Sequence, residues 1–360
     1  MSFSIKRFVV RLVPFRHLIR RKMELLFING RNILKRKAFY CNSLAGRSDY
    51  NICINSDMTV SCHCFTTDGS SHIGDLNSHT LEEIFKGETA SKFRKRLSRG
   101  IIPINACLSC RELKSVPRAD AKTYLSNFTT PKRGIMVENT ALCNLSCLNC
   151  GRKELFKSRK KMRMSLPEME RAAANIQSCN VRLISFFNFG EPFLSDTIFE
   201  EITLLKKYNP EPAIYVSTNG LLINNEAKFE AALLVDYIYV SLDGATDESV
   251  TKYQVGGCFT VAYDNMKKLI RLRNSRNRTS PVIEWKYVVF SWNDSEAEIE
   301  KAVELARDAG VDILAFYLGE GSPAHTSSRF KNDEFFKTLG RESWKGRELD
   351  FRKERLPSGG

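Results

Sequence analysis

Short apolar runs alternate with longer amphipathic stretches through the middle of the chain. The apolar runs predict buried strands, and the stretches between them repeat apolar residues at helical spacing. The predicted strands lie near residues 134–139, 181–189, 213–218, 236–242, 283–290 and 312–318. The predicted helices are Leu166 to Gln177, Asp196 to Lys207, Asn225 to Val235, Tyr263 to Arg273 and Ser295 to Ala309.

This alternation predicts an α/β fold in which a parallel sheet is wound as a partial (β/α)6 barrel. In such a fold the loops after the carboxyl ends of the strands form the functional site. A doubly wound open sheet is the alternative, because alternation alone does not show whether the sheet curls. Asp294 or Ser295 is placed to cap the last helix, and Gly310 follows its end.

Length and composition set the outer bounds of the fold. The chain has 360 residues, of which 42% are hydrophobic, so it can bury one large core and a smaller satellite domain. Its eleven cysteines have clustered spacings, which favour metal ligation in a reducing cytosol over secreted disulfides. The N-terminus shows no small-residue cleavage site or clean apolar signal segment. We therefore expect a cytoplasmic protein.

A CxxxCxxC motif follows the first barrel strand, with Cys143, Cys147 and Cys150. This spacing can bring three thiolates onto three corners of a [4Fe–4S] cube while the fourth iron lacks a protein ligand. A zinc site would need a fourth nearby Cys or His, and no further one lies between residues 111 and 178. The motif therefore predicts a cluster with one iron open for chemistry.

The motif and the ends of the next strands resemble the radical S-adenosylmethionine (SAM) superfamily. The segment Gly190-Glu191-Pro192 is similar to the Gly-Gly-Glu-Pro segment of that family, with Phe189 in place of the first glycine. Ser217-Thr218-Asn219-Gly220 and Ser241 are similar to the family's third and fourth strand ends. The resemblance implies that SAM is bound by Gly190, Glu191, Ser217, Asn219 and Ser241.

The same resemblance implies an activity. The amine and carboxylate of SAM would chelate the open iron, and an electron from the cluster would cleave the sulfonium. The resulting 5′-deoxyadenosyl radical would abstract hydrogen from an organic substrate. A flavodoxin or ferredoxin is the expected electron donor.

Two positions depart from the family pattern. Asn149 precedes the third cluster cysteine, where an aromatic residue is frequent, and Val255 stands where many relatives have an arginine. A non-catalytic iron–sulfur protein therefore remains the alternative. The five histidines lie outside the barrel segment or at its end, which disfavours a Ser-His-Asp or zinc hydrolase. Without an RNA-binding signature in the core, no nucleic-acid partner is expected.

A second cysteine-bearing segment, residues 46–115, precedes the barrel. Its order is a hairpin flanked by cysteines, then Ile73-Gly74-Asp75-Leu76, a helix pattern from Leu81 to Leu97 and a closing CxxC. This order resembles the SPASM auxiliary-cluster domain, which in relatives usually follows the barrel. The resemblance implies a second [4Fe–4S] cluster on Cys53, Cys62, Cys107 and Cys110. A zinc-ribbon-like site is the alternative. Cys64 is expected to be a spare ligand or a buried thiol. The other three, Cys41, Cys179 and Cys258, are expected to be core or surface thiols.

The first forty residues are strongly basic. They carry eleven Lys or Arg and one acid, and so supply +10 of the formal net charge of +14. Residues 1–40 could lie at the inner membrane surface, act as a transit peptide or bind an acidic partner, or simply be solvated. No run reaches the ~20 apolar residues that span a bilayer. The predicted order is a basic leader (1–45), the SPASM-like domain (46–115), a linker (116–130), the radical SAM core (131–322) and a polar tail (323–360). The tail could be a lid or a disordered end.

Substrate candidates come from strand alternation. If Ile283 and Trp285 pack against helices, Glu284 and Lys286 face the lumen, where they could hold substrate or move a proton, or form structural pairs. Glu138 on the first strand is a similar candidate. The first fifty residues are too short and too basic for a peptide-leader binding domain. We therefore expect oxidation of a small-molecule, sugar or lipid-linked substrate, with the second cluster as electron acceptor; a ribosomal-peptide maturase is the alternative.

Overall fold

The computed structural model describes residues 23–319, 325–329, 341–342 and 346–352. Its strands, in chain order, are β1 (Ala38–Cys41), β2 (Cys53–Ile54), β3 (Thr59–Ser61), β4 (His72–Asp75), β5 (Leu113–Val116), β6 (Gly134–Val137), β7 (Leu183–Phe186), β8 (Ala213–Thr218), β9 (Tyr237–Ser241), β10 (Val282–Val289), β11 (Ile313–Leu318), β12 (Arg341–Glu342) and β13 (Gly346–Asp350). Its helices are α1 (residues 23–34), α2 (Leu81–Lys86), α3 (Glu88–Ser98), α4 (Ala121–Ser126), α5 (Arg152–Leu155), α6 (Leu166–Gln177), α7 (Ile198–Tyr208), α8 (Glu226–Leu234), α9 (Asp247–Thr251), α10 (Phe259–Ser275) and α11 (Glu296–Ala309).

Strands β6 to β11 form a parallel sheet in which neighbours in the chain are neighbours in space. Crossovers between parallel strands are right-handed, so an unbroken order places every connecting helix on the same face. A doubly wound sheet would instead reverse its order at a switch point. The six predicted strands and the α/β class are confirmed, and the strand order agrees with a partial barrel.

The five predicted barrel helices are present as α6, α7, α8, α10 and α11. A capping box between Ser165 and Glu168 begins α6, because its side chains satisfy amides that have no partner within the helix. The hydroxyl of Ser295 accepts from the Glu298 amide at the start of α11, and Gly310, at φ +75°, ends that helix. Local sequence therefore sets these helix ends; Ser295 is one of the two caps predicted for α11, and Gly310 is its predicted end.

The parallel strands present one face to the helices and the other to the barrel interior, here called the lumen face. On β9, Ile238 and Val240 are buried in the helix-covered core, whereas Tyr237 and Tyr239 are half-buried on the lumen face. On β10, Ile283 and the alternate residues Trp285, Tyr287 and Val289 are fully buried. The predicted alternation is thus present, and it leaves the lumen face for polar side chains.

The cysteine-bearing N-terminal segment joins the barrel sheet, which corrects the expectation of a smaller separate domain. Strand β2 pairs parallel with β6, and β3 and β4 continue the sheet antiparallel beyond β2. The same hydrophobic core runs from Ile54 and Phe85 to the barrel residues. The linker segment 116–130 contains α4 and part of β5. Residues 46–115 therefore contain a hairpin that extends the edge of the barrel sheet.

The end of the chain also adds to the sheet. Strand β13 pairs antiparallel with β11, and Phe351 after it is buried in the core. This corrects the expectation that the whole tail from residue 323 is a lid or disordered; the other tail residues lie mostly outside the described ranges. Residues 1–22 of the basic leader also lie outside them. Among the helices that the structure describes, none is long and apolar enough to cross a bilayer.

Candidate functional site

The three motif cysteines lie together in the loop that follows β6. Burial, the Asp243 carboxylate and the charges of the other two motif thiolates raise the pKa of Cys147 to about 12. Burial also raises the pKa of Cys143, and the charge of the Cys150 thiolate raises it further. Each of the three pairs is therefore close enough for direct electrostatic interaction. Metal ligation would deprotonate such thiols.

The donor set of this loop fits an iron–sulfur cluster. Across the described residues, no three His, Cys, Asp or Glu side chains converge on the position of a single metal ion. A [4Fe–4S] cluster does not need such convergence, since its thiolates bind separate corners of a cube. Three neighbouring, half-buried thiols match three of those corners.

Backbone hydrogen bonds hold the cysteine loop against the segment that follows β9. The amide of Ser146 donates to the Val255 carbonyl at 2.9 Å, and the Leu148 amide donates to the Tyr253 carbonyl at 3.1 Å. Position 255 thus supports the loop through its backbone while its side chain is 44% exposed. The loss of an arginine there leaves this support in place.

Gly190 allows the turn after β7 to approach the cysteine loop closely. A Cβ atom at this position would lie 1.9 Å from the Thr140 carbonyl oxygen, so the contact has no room for a side chain. The neighbouring Glu191 amide donates to the Leu142 carbonyl at 2.8 Å. This turn therefore fixes the backbone that leads into Cys143.

The Glu191 carboxylate ties the turn to the end of β8. It is 2% exposed and accepts from the Thr218 hydroxyl at 2.8 Å and the Asn219 amide at 2.8 Å, as well as from the Phe193 amide at 3.1 Å. Burial raises its pKa to about 7, against these hydrogen bonds. In this geometry Glu191 orders the site, and its contact with the SAM amine stays a prediction.

The polar residues expected at the next strand ends come together beside the loop. The Ser217 and Ser241 hydroxyl oxygens are 3.5 Å apart. The Asn219 side-chain amide donates to Asn144 Oδ1 at 2.8 Å, next to Cys143. The Asn219 amide is therefore adjacent to the cysteine loop, and the two hydroxyls lie side by side on the neighbouring strands β8 and β9.

Sequence reasoning missed Gln254 as a support of this site. Its side chain is buried, donates to the Ser241 carbonyl at 2.9 Å and accepts from the Asp243 amide at 3.1 Å. Gln254 therefore fixes the end of β9 to the segment around Val255, whose backbone supports the cysteine loop. Its place beside Val255, where many relatives have an arginine, was the available signal.

The lumen face below the site holds Glu284 among tyrosines. The Glu284 carboxylate is 3% exposed and accepts from the hydroxyls of Tyr237 and Tyr317, and burial raises its pKa. The Lys286 ammonium lies 5.3 Å from the centre of the Tyr317 ring. Glu284 and Lys286 thus lie on the same face of the sheet as these tyrosines, and their role toward a substrate stays a prediction. Sequence reasoning missed the tyrosine wall formed by Tyr215, Tyr237, Tyr239 and Tyr317.

Glu138 does not face a substrate space, which corrects its choice as a lumenal candidate. It is fully buried, and its carboxylate accepts from the Ser56 amide at 3.2 Å, Arg159 Nε at 3.3 Å and Asn188 Nδ2 at 3.0 Å. Arg159 also donates to the Asn55 side chain at 2.7 Å. The pair therefore joins the β2–β3 turn to the barrel and has a structural role.

The hairpin directs Cys53 and Cys62 to opposite faces of the sheet. Cys53 pairs with Ser61 across the ladder, so Cys62, one residue further along, is directed to the opposite face. The Cys53 thiol receives a hydrogen bond from Asn188 Nδ2 at 3.5 Å and packs with Cys64 and Met136. This geometry separates Cys53 from its three expected co-ligands.

Cys41 lies near Cys62, Cys107 and Cys110, the other three cysteines of the expected set. After burial, the charges of Cys41, Cys107 and Cys110 contribute most to raising the pKa of Cys62. The charges of Cys107 and Cys110 likewise add to the raised pKa of Cys41, and that of Cys110 to the raised pKa of Cys107. Pairing of β1 with β5 brings Cys41 opposite Leu113, whose amide donates to the Cys110 carbonyl. In all six pairs among these four thiols, the charge of one thiol therefore raises the pKa of the other, and the charge of Cys110 also adds to the raised pKa of Cys64.

Comparisons with known proteins agree with this geometry. The family model of the radical SAM superfamily matches residues 137–319, just over half of the 360-residue chain. A GTP 3′,8-cyclase from Alkaliphilus oremlandii (strain OhILAs) is 24% identical over 200 residues, which cover 54% of this chain and 58% of that protein.

Two solved structures show partial likeness. Native anSMEcpe with bound AdoMet has 18% identity and a TM-score of 0.39, covering 53% of this chain and 54% of its own. BtrN in complex with AdoMet and 2-DOIA has 21% identity and a TM-score of 0.28, covering 36% of this chain and 49% of its own. The chain thus spans between about half and three fifths of the length of each of these proteins.

Proposed function

Because the chain belongs to the radical SAM superfamily, we propose that it cleaves SAM reductively at a [4Fe–4S] cluster held by Cys143, Cys147 and Cys150. With SAM bound, such a cluster would supply the electron that splits the sulfonium and yields a 5′-deoxyadenosyl radical able to remove a hydrogen atom from substrate. The observation that carries the proposal is the grouping of these three thiols beside the polar ends of β8 and β9.

The residues around the loop would position SAM. Ser217 and Ser241 offer hydroxyl groups to a ribose or carboxylate, and Asn219 offers an amide. Gly190 keeps the turn close to the cysteine loop. Glu191 holds the ends of β7 and β8 in place and is the proposed acceptor for the SAM ammonium. These groups are ordered by hydrogen bonds before SAM arrives.

The tyrosine-lined lumen is the proposed substrate space. Tyrosine rings bound it with apolar surface and leave their hydroxyl groups for hydrogen bonds, which suits a hydroxylated small molecule, a sugar or the polar part of a lipid-linked substrate. Glu284 is the proposed proton acceptor at its carboxylate oxygens, because burial raises its pKa and so makes the carboxylate a stronger base. Lys286 would hold an anionic or hydroxyl group of the substrate.

We further infer an auxiliary [4Fe–4S] cluster on Cys41, Cys62, Cys107 and Cys110. Four mutually close thiols match the four corners of a fully ligated cluster. When bound, it would supply an acceptor for the second electron of a substrate oxidation. Reduction of the first cluster needs a one-electron donor, for which flavodoxin or ferredoxin is proposed.

Iron content distinguishes this ligand set from the one that the sequence suggested. Anaerobically reconstituted protein should hold about eight iron and eight sulfide. Cys41→Ala should hold about four, because it removes a ligand, whereas Cys53→Ala should remain near eight. Iron and sulfide analysis with electron paramagnetic resonance of the reduced proteins measures this. Loss of iron in Cys53→Ala alone would contradict the revised set, and four iron plus one zinc in the wild type would make this a zinc site.

Deuterium transfer tests the proposed hydrogen abstraction. With a substrate deuterated at the reacting carbon, mass spectrometry should find deuterium in 5′-deoxyadenosine, since the radical takes that atom directly. A panel of sugars, lipid-linked sugars and ribosomal peptides serves as the source, and the same panel without deuterium is the control. Transfer from a peptide only would favour the ribosomal-peptide maturase. SAM binding without cleavage or transfer would favour the non-catalytic alternative.

A further inference from the structure

Helix α1 (residues 23–34) exposes an apolar stripe. Five of its seven large apolar side chains face solvent, with exposed fractions of 64% for Met23, 71% for Leu26, 75% for Phe27, 46% for Ile33 and 86% for Leu34, whereas the other two, Leu25 and Ile28, are half-buried. Met23, Phe27 and Leu34 are spaced four and seven residues apart, so they lie on one side of the helix. Soluble helices normally direct such a stripe toward the core.

The inward side of α1 is held by polar contacts. Asn29 is buried, and its side-chain amide donates to the Ile102 carbonyl at 3.2 Å while its oxygen accepts from the Ile102 amide at 2.8 Å. Asn32, one turn later, is also buried. This bidentate contact fixes the rotation of the helix, and it therefore fixes the apolar stripe on the outer side.

Positive charge flanks the stripe. Arg31 and the three residues after the helix, Lys35, Arg36 and Lys37, are exposed, and Glu24 is the only acid among the first forty residues. An apolar stripe with basic flanks is complementary to a bilayer with anionic headgroups, in which apolar side chains enter the interface and cations remain among the phosphates. A protein partner of this chain would have to supply both an apolar groove and a dense negative rim.

We propose that the outer face of α1 docks on an anionic lipid bilayer, with Met23, Leu26, Phe27, Ile33 and Leu34 entering the interface and Arg31 and Lys35 contacting lipid phosphates. The helix lies in the plane of the surface. This surface is defined by side chains outside the cysteine sites, so binding is independent of the proposed chemistry.

Vesicle cosedimentation of the full-length protein tests the proposal. Binding is expected to vesicles of phosphatidylglycerol and phosphatidylcholine, to fall with salt because screening weakens surface attraction, and to be weak on phosphatidylcholine alone. Phe27→Ser with Leu34→Ser should reduce binding at least about tenfold, since two apolar side chains that would be buried in the bilayer interface are lost. Phe199→Ser, at another partly exposed aromatic position, should leave it unchanged.

Charge reversal gives an independent arm. Arg31→Glu with Lys35→Glu should also reduce binding by about tenfold or more, whereas Lys301→Glu on α11 should not. Iron content equal to that of the wild type shows that the variants remain folded. Absence of binding to anionic vesicles at low salt would overturn the proposal. So would a wild-type dimer that the Phe27 and Leu34 substitutions convert to a monomer with no change in vesicle binding, because the occupant would then be a second copy.

Discussion

Cys147→Ala protein is expected to lose SAM cleavage by more than about 10³-fold while retaining about four iron. Cys147 interacts with both other motif thiols, and its loss would leave two ligands for a cluster that needs three. The proposed auxiliary cluster on Cys41, Cys62, Cys107 and Cys110 lies outside this loop, so its iron should remain. The measurement combines iron analysis with chromatography of 5′-deoxyadenosine after anaerobic incubation with SAM and dithionite.

Cys258→Ala is the matched control for this result. Cys258 is also a half-buried free cysteine, but it lies at the start of α10, outside both thiol groups. Its substitution should leave iron content and SAM cleavage near wild type. Undiminished cleavage in Cys147→Ala, or equal loss in Cys258→Ala, would contradict the assignment of the loop as the cluster site.

Arg159→Met is expected to lower the free energy of unfolding by about 3–5 kcal/mol, the usual effect of removing one partner of a buried ion pair. The Arg159 and Glu138 side chains are 1% and 0% exposed, so the remaining carboxyl would be buried without its counter-charge. Burial already raises the pKa of Glu138, and Arg159 opposes that rise. Urea unfolding of anaerobically purified protein measures the change.

Two control proteins identify the cause of that loss. Lys252→Met removes one member of an exposed pair with Glu248 and should cost at most about 0.5 kcal/mol. Combining Arg159→Met with Glu138→Leu removes both buried charges and should recover part of the lost stability. If Arg159→Met lowers the free energy of unfolding no more than Lys252→Met does, the buried pair does not hold the hairpin to the barrel.

The barrel core was predictable because parallel strands that are buried under helices appear as short apolar runs. The ends of α6 and α11 also depend on local sequence, since Ser165, Ser295 and Gly310 specify them through their own backbone and side-chain geometry. The grouping of Cys143, Cys147 and Cys150 follows from their placement within eight consecutive residues. Information within a short window was sufficient for each of these features.

The proposed N-terminal ligand set was not predictable in the same way. Whether Cys53 or Cys41 joins Cys62 depends on the hairpin register and on pairing of β1 with β5, which are far apart in sequence. The position of Glu138 is a similar case, since its strand alternation gives no sign that Arg159 and the β2–β3 turn cover it. Such features require the tertiary pairing of strands, which no local pattern contains.

Formation of 5′-deoxyadenosine from SAM by the reconstituted wild-type protein tests the central claim most directly. Under anaerobic conditions with dithionite, the protein should release 5′-deoxyadenosine and methionine, and a variant with alanine at Cys143, Cys147 and Cys150 should release neither. Binding of SAM without 5′-deoxyadenosine from the wild type, or undiminished release from the triple variant, would contradict it.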